Sequence, residues 1–249
     1  MPLLSLGEIS KTYWRGRHPV RVLDRVSLEV ERGQFVAVCA GAREGKTTLL
    51  RIAAGLEPPT EGTVCFDGRD LAAAPARRWW SRSTRPARIE GLEPGMSWVR
   101  RTGPSNRSMP MLRYVALALL DDYHDREATR RATALLAELG VDDLARSTWR
   151  ELSDSERILM TIAHAIARRP ALLLADDVTS GLGVDERETV LARMRQRVES
   201  DGMAVLMTAE SVPATLRAHT IMTLNDGQLL KPKSRPPADV IPLPRRDHG

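Results

Sequence analysis

Residues 34–54 read Gln34-Phe35-Val36-Ala37-Val38-Cys39-Ala40-Gly41-Ala42-Arg43-Glu44-Gly45-Lys46-Thr47-Thr48-Leu49-Leu50-Arg51-Ile52-Ala53-Ala54. The apolar run up to Cys39 predicts a buried strand, and Thr48 to Ala54 predicts a helix. A Gly-containing loop ending in Lys-Thr joins them, which is the context a phosphate-binding loop needs. The backbone N–H groups of such a loop and the N-terminus of its helix present positive dipoles to a polyphosphate. Gly41, Gly45, Lys46, Thr47 and Thr48 are therefore candidate nucleotide contacts. Lys46 reaches the terminal phosphates, and the Thr47 hydroxyl ligates Mg²⁺. The strict pattern is G-x-x-x-x-G-K-[ST], and Ala40 stands where its first Gly belongs.

A distant stretch points to the same site. Ala171-Leu172-Leu173-Leu174-Ala175-Asp176-Asp177 reads as a buried strand ending in two carboxylates, and Met203 to Thr208 reads as another buried strand. Strands also fall at 3–10, 20–30 and 63–66. Helical periodicity covers 112–120, 126–139, 156–169 and about 185–199, with Ser153 and Ser155 as candidate N-caps for the third. Asn225-Asp226-Gly227 marks a hairpin turn, and Lys11 to Gly16, with Tyr13 and Trp14, reads as turn-like. Strands alternating with helices predict an α/β fold with a mainly parallel sheet flanked by helices, joined to an antiparallel β subdomain. Ligands of such sheets lie at the carboxyl ends of the strands, where both the loop and Asp176-Asp177 fall.

The bulk composition excludes several classes. At 249 residues, with 42% hydrophobic and 28% charged residues, the chain reads as a soluble globular protein. It has no long apolar span, and its N-terminal residues do not read as a signal peptide. Cys39 and Cys65 fall in strand-like runs, which suits small core residues of a reducing compartment. The net charge of +5 is uneven. Residues 76–113 hold nine Arg against Glu90 and Glu93, and the Pro-rich tail from Lys231 is also basic. The segment 72–112 has no periodicity and carries Trp79, Trp80 and Trp98. Aromatics among arginines suit nucleic-acid stacking, a protein partner or plain local packing.

From residue 3 to about 231 the chain resembles an ABC-transporter ATP-binding subunit. It is most similar to the ATPases partnered with lipoprotein-releasing and macrolide-efflux permeases. Five segments around the loop carry the resemblance: Arg21 to Leu28, Ala54 to Gly62, Phe66 to Leu71, Leu172 to Leu182, and Leu224 to Gly227. It implies a P-loop NTPase core with a helical subdomain. The core with its β subdomain spans 1–83 and 162–231, the helical and signature part spans 84–161, and 232–249 form a disordered tail. It further implies ATP and Mg²⁺ as cofactors and a homodimer or a heterodimer with an intact ATPase. The permease contact falls around residues 98–115, and the subunit lies in the cytoplasm against the inner face of the cell membrane.

The resemblance also assigns roles. Tyr13 matches the aromatic that stacks on adenine, and Asp176 matches the carboxylate that holds Mg²⁺ through water. Asp177 stands at the catalytic Glu, one C–C bond shorter. Ala40 and Arg43 replace loop glycines; a positive φ at Arg43 costs on the order of 1–2 kcal/mol. Arg101 stands at the Gln that senses metal and water. Ser153, Asp154 and Ser155 occupy the signature motif, where two glycines normally let backbone approach a partner's γ-phosphate. Gly183 replaces an Asp that links the two sites, and Ala209 replaces the switch His. Residues that bind nucleotide survive, while those that hydrolyse it are altered. Three readings follow: a degenerate regulatory or coupling subunit that binds ATP with weak or no hydrolysis, a non-hydrolysing scaffold that docks a permease or envelope partner, and a slow ATPase using Asp177. Nucleic-acid binding ranks below all three.

Overall fold

The computed structural model describes residues 1–71, 92–99, 102–215 and 217–230. The chain begins with an antiparallel pair, β1 (Leu4–Arg15) and β2 (His18–Val30), which β4 (Glu61–Phe66) and β5 (Arg69–Asp70) extend. The order in this sheet is β2-β1-β4-β5. The second sheet has six strands. Its centre is β3 (Phe35–Cys39), β8 (Ala204–Ala209) and β7 (Leu172–Asp176), with β6 (Met96–Val99) at one edge and β9 (Thr220–Asn225) and β10 (Gln228–Leu230) at the other. All neighbouring pairs in it are parallel except β9 with β10.

The central strands are apolar except for Asp176 and Thr208 near their carboxyl ends, because both faces are covered. Their period-2 alternation divides the interior into two cores. Phe35, Leu173, Ala175, Val205, Met207 and Ala209 face one core, shared with α2 (Met111–Leu117), α3 (Asp125–Glu138), α4 (Asp154–Ile166) and α5 (Val184–Asp201). Val36, Val38, Leu172, Leu174 and Leu206 face the other, shared with α1 (Lys46–Ala53) and the antiparallel sheet. Each helix presents one apolar stripe; that of α3 is Ala128, Ala132, Leu135 and Leu136. Burying each such Leu contributes roughly 1.5–3 kcal/mol.

The elements follow the sequence reading, with three corrections. Lys11 to Arg15 is strand rather than turn, because β1 runs on against β2 as far as the Arg15–His18 pair. Tyr13 therefore sits on a strand, opposite Val20. Met96–Val99, inside the segment without periodicity, forms an edge strand against β7, and half-buried Trp98 packs on the core, in line with the local-packing reading of that residue. Ser153 alone caps α4; Ser155 lies within its first turn. Trp79, Trp80, Arg101 and the tail from Lys231 lie outside the described residues. Among the described residues no helix is long and apolar enough to cross a membrane.

Candidate functional site

The loop Ala40–Gly45 joins β3 to α1 at the carboxyl edge of the six-stranded sheet. It is locally strained: Arg43 has φ 67, the left-handed geometry that Gly adopts most readily. Arg43→Gly should remove a steric cost of about 1–2 kcal/mol. The flexibility Gly adds to the unfolded chain offsets about 0.4–1 kcal/mol of that. The expected result is a small rise in thermal midpoint, measured by calorimetry.

Lys46 is buried. Its Nζ donates to Ala40 O at 2.7 Å and Gly41 O at 2.9 Å, so the ammonium is folded back along the loop. Thr47 Oγ1 donates to Asp176 Oδ2 at 2.7 Å. The fully buried Thr208 donates to Asp176 Oδ1 at 2.7 Å. Loop and strand end are thus joined directly, and both oxygens of Asp176 are fixed. Asp177 follows with φ 48, its N–H donating to both Thr208 O and Thr208 Oγ1 at 3.1 Å. Asp is among the side chains that tolerate this conformation best.

The donor set of Thr47 and Asp176 is a hydroxyl and a carboxylate, hard oxygens of the kind Mg²⁺ takes alongside substrate phosphates. They touch each other, so one ion can be shared between them, and they fit the metal the family uses. When bound, the ion would neutralise phosphate charge. Among the described residues no group of three or more His, Cys, Asp or Glu could hold a metal by itself.

Tyr13 stands beside the same helix. Its hydroxyl donates to Glu57 Oε1 at 2.5 Å and lies 3.4 Å from Thr48 Oγ1. The Lys11 ammonium lies 5.2 Å from the ring centroid and 3.1 Å from Glu57 Oε1. Burial and the Glu57 hydrogen bond push the phenol pKa up, so the ring stays neutral. About a third of Tyr13 is exposed, which leaves a π surface for a base.

Ala209 ends β8, fully buried, and its carbonyl accepts from Ala40 N–H at 3.0 Å. Its methyl belongs to the helix-side core and brings no polar atom to the site.

The signature residues sit at the N-terminus of α4, and the Ser153 N–H and both serine hydroxyls are already matched to carboxylates. Ser153 N–H and Oγ both donate to Glu156 Oε2, at 2.7 and 2.9 Å. Ser155 Oγ donates to Glu186 Oε1 at 3.2 Å, and Asp154 pairs with Arg157. Glu186 also accepts from Gly183 N–H at 3.1 Å, so one carboxylate ties the starts of α4 and α5 together. Acidic groups stabilise a helix N-terminus by about 0.3–1 kcal/mol each, and the same groups repel a phosphate there.

The structure therefore brings together Tyr13, Gly41, Gly45, Lys46, Thr47, Thr48, Asp176, Asp177 and Ala209. Ser153, Asp154, Ser155 and Gly183 form a separate group around Glu186. Thr208, Glu57 and Glu186 were not singled out from sequence. A signal existed for Thr208: it is the one polar residue of an apolar strand, next to its end, and the parallel register sets it beside Asp176.

The family model described as ABC transporter matches residues 23–180. The chain is 30% identical over 228 residues to the lipoprotein-releasing system ATP-binding protein LolD of Anaplasma marginale, covering 91% of this chain and 97% of LolD. It is 30% identical over 241 residues to the macrolide export ATP-binding/permease protein MacB of Syntrophobacter fumaroxidans, covering 96% of this chain and 33% of MacB. It is 27% identical over 248 residues to the methionine import ATP-binding protein MetN 1 of Rhodococcus jostii, covering 99% of this chain and 70% of that protein. Among solved structures, the cassette MJ0796, a dimer in a post-hydrolysis state bound to ADP and Pi, superposes with TM-score 0.74 at 24% identity. That match covers 92% of this chain and 98% of MJ0796, and it shows the shared fold.

Proposed function

The chain belongs to the ABC transporter family, and from that premise we propose that it is a nucleotide-holding subunit of a membrane transport complex, with ATP hydrolysis slow or lost. The observation that carries this reading is the Thr47–Asp176 hydrogen bond at 2.7 Å. It keeps the metal pair assembled beside Lys46, while neighbouring positions lack the groups that drive turnover. Tyr13 offers a face to adenine, Lys46 a charge to the phosphates, and Thr47 with Asp176 a seat for Mg²⁺. Asp177 is the carboxylate left to orient water. It sits one bond shorter than the family's Glu, and a misplacement of about 1 Å can cost on the order of 10²-fold in rate. Ala209 offers no hydrogen bond to a γ-phosphate.

The acidic closure of α4 supports a regulatory or coupling role over that of an independent ATPase. In a cassette dimer, a partner's phosphate would meet Asp154, Glu156 and Glu186 at this chain's signature. We assign the permease contact to the region of residues 98–115 and the location to the inner face of the membrane, as the resemblance to ATP-binding subunits implies.

The test compares equilibrium binding of a non-hydrolysable ATP analogue with steady-state phosphate release from ATP. Binding with little or no turnover supports the proposal. Turnover at an intact cassette's rate sinks it, and the absence of both favours a scaffold without nucleotide.

A double variant, Asp177→Glu with Ala209→His, is expected to leave turnover far below that of an intact cassette, because Asp154, Ser155 and Arg101 remain. The structure adds two reasons. Residue 177 has φ 48, which suits Asp better than Glu. Residue 209 is fully buried, so an imidazole overpacks the core at a cost of about 1–3 kcal/mol. Recovery of a full rate in a phosphate-release assay would refute this.

A further inference from the structure

Glu44 lies inside the phosphate loop, and neither the motif nor the roles described above give it a part. Its Oε2 accepts from the Gly41 backbone N–H at 2.9 Å. Gly41 makes room for it: a Cβ at residue 41 would lie 2.9 Å from Glu44 Oε1 and 3.2 Å from its Cδ. The carboxylate therefore rests against the bare Cα of Gly41. The same residue is held from its other side, since Gly41 O accepts from Lys46 Nζ at 2.9 Å. A carboxylate and an ammonium two residues apart are both anchored on one glycine at the entrance of the loop.

We propose that the Glu44 carboxylate is a resident anion of the phosphate loop, which lowers nucleotide affinity and penalises the triphosphate more than the diphosphate. This rests on the nucleotide-holding reading above. A loop of backbone N–H groups beside a helix N-terminus attracts anions, and here the chain supplies one of its own. Within Ala40–Thr48 and Asp176–Asp177 the anionic side chains are Glu44, Asp176 and Asp177, against the cations Arg43 and Lys46. Incoming phosphate is thus repelled by a charge that the loop itself holds in place, and the repulsion grows with the charge of the ligand. Gly41, which the motif offers as a phosphate contact, instead uses its N–H on Glu44.

Two variants of the full chain separate charge from geometry. Glu44→Gln keeps an acceptor oxygen for Gly41 N–H at nearly the same size and removes the charge. Glu44→Ala removes both. Each is titrated with the Mg²⁺ complexes of a non-hydrolysable ATP analogue and of ADP, alongside the wild-type protein, with thermal midpoints as a control on folding. Glu44→Gln is expected to bind the ATP analogue about tenfold tighter than wild type and to gain less for ADP. A variant that binds where the wild-type protein does not is the same result at its extreme.

Equal affinity for wild type and Glu44→Gln overturns the resident-anion proposal and leaves the nucleotide reading standing. So does weaker binding by Glu44→Gln, which would make Glu44 a brace for the loop. An equal gain for ADP and the ATP analogue overturns the discrimination by charge. No binding by any of the three proteins overturns both this proposal and the reading it rests on.

Discussion

Lys46→Ala is expected to weaken binding of an ATP analogue by about 100-fold, because charge-assisted bonds from an ammonium to phosphate contribute on the order of 3 kcal/mol. The geometry makes the effect specific to binding. Among the described residues Nζ bonds backbone carbonyls alone, those of Ala40 and Gly41. Truncation frees the buried Ala40 O and the partly buried Gly41 O, and water entering the space of the lost side chain can replace the ammonium. The thermal midpoint should therefore move little while affinity falls. The check is a fluorescence titration paired with thermal unfolding of the same samples. Unchanged affinity would remove the loop from the nucleotide site. A large fall in midpoint would recast Lys46 as a structural residue.

Gly62→Ala is expected to be the most damaging small substitution in the antiparallel sheet. Gly62 has φ 99, and a Cβ there would lie 2.5 Å from Gly7 O and 2.6 Å from Glu8 O. Both obstacles are backbone, and they belong to the irregularity where the β1–β4 register shifts between Gly7 and Ser10. Glu8, at φ 51, forms that bulge. The left-handed conformation costs about 1–2 kcal/mol, and displacing a paired strand adds a comparable amount. A loss of roughly 3 kcal/mol corresponds to a midpoint lower by about 6–12 °C for a chain of this size. Because β1 also carries Tyr13, the substitution should weaken nucleotide binding as well, whereas Lys46→Ala weakens binding alone. A midpoint within a degree or two of wild type would show that the bulge can relax around a methyl group.

Much of the site was legible in the residues. The buried strand before the loop and the carboxylates closing the Ala171–Asp177 run follow from local pattern, while the positive φ at Arg43 is an expectation of the resemblance, which sets Arg43 at a loop glycine. The missed features share one cause. Tyr13 looked like part of a turn because bulges interrupt the alternation of β1, and strand pairing with β2 overrides the local signal. Met96–Val99 is only four residues long, lies in Pro- and Arg-rich sequence, and becomes a strand because β7 offers it an edge. Glu57, Thr208 and Glu186 are ordinary polar residues until the fold sets them against Tyr13, Asp176 and Ser155.

The phosphate loop shows the division most clearly. That Ala40–Thr48 joins a buried strand to a helix, with Lys46 and Thr47 in the pattern of a phosphate-binding loop, can be read from the residues themselves. Hydrophobic periodicity and glycine placement act over a few residues, so they can be read along the chain. Only the tertiary structure decided what those groups meet. Thr47 finds Asp176 across 129 positions, Ala209 turns its methyl into the core beside the loop, and the Glu44 carboxylate closes on Gly41. Such pairings depend on sheet register and on the space left where a side chain is missing, and neither is written in local sequence.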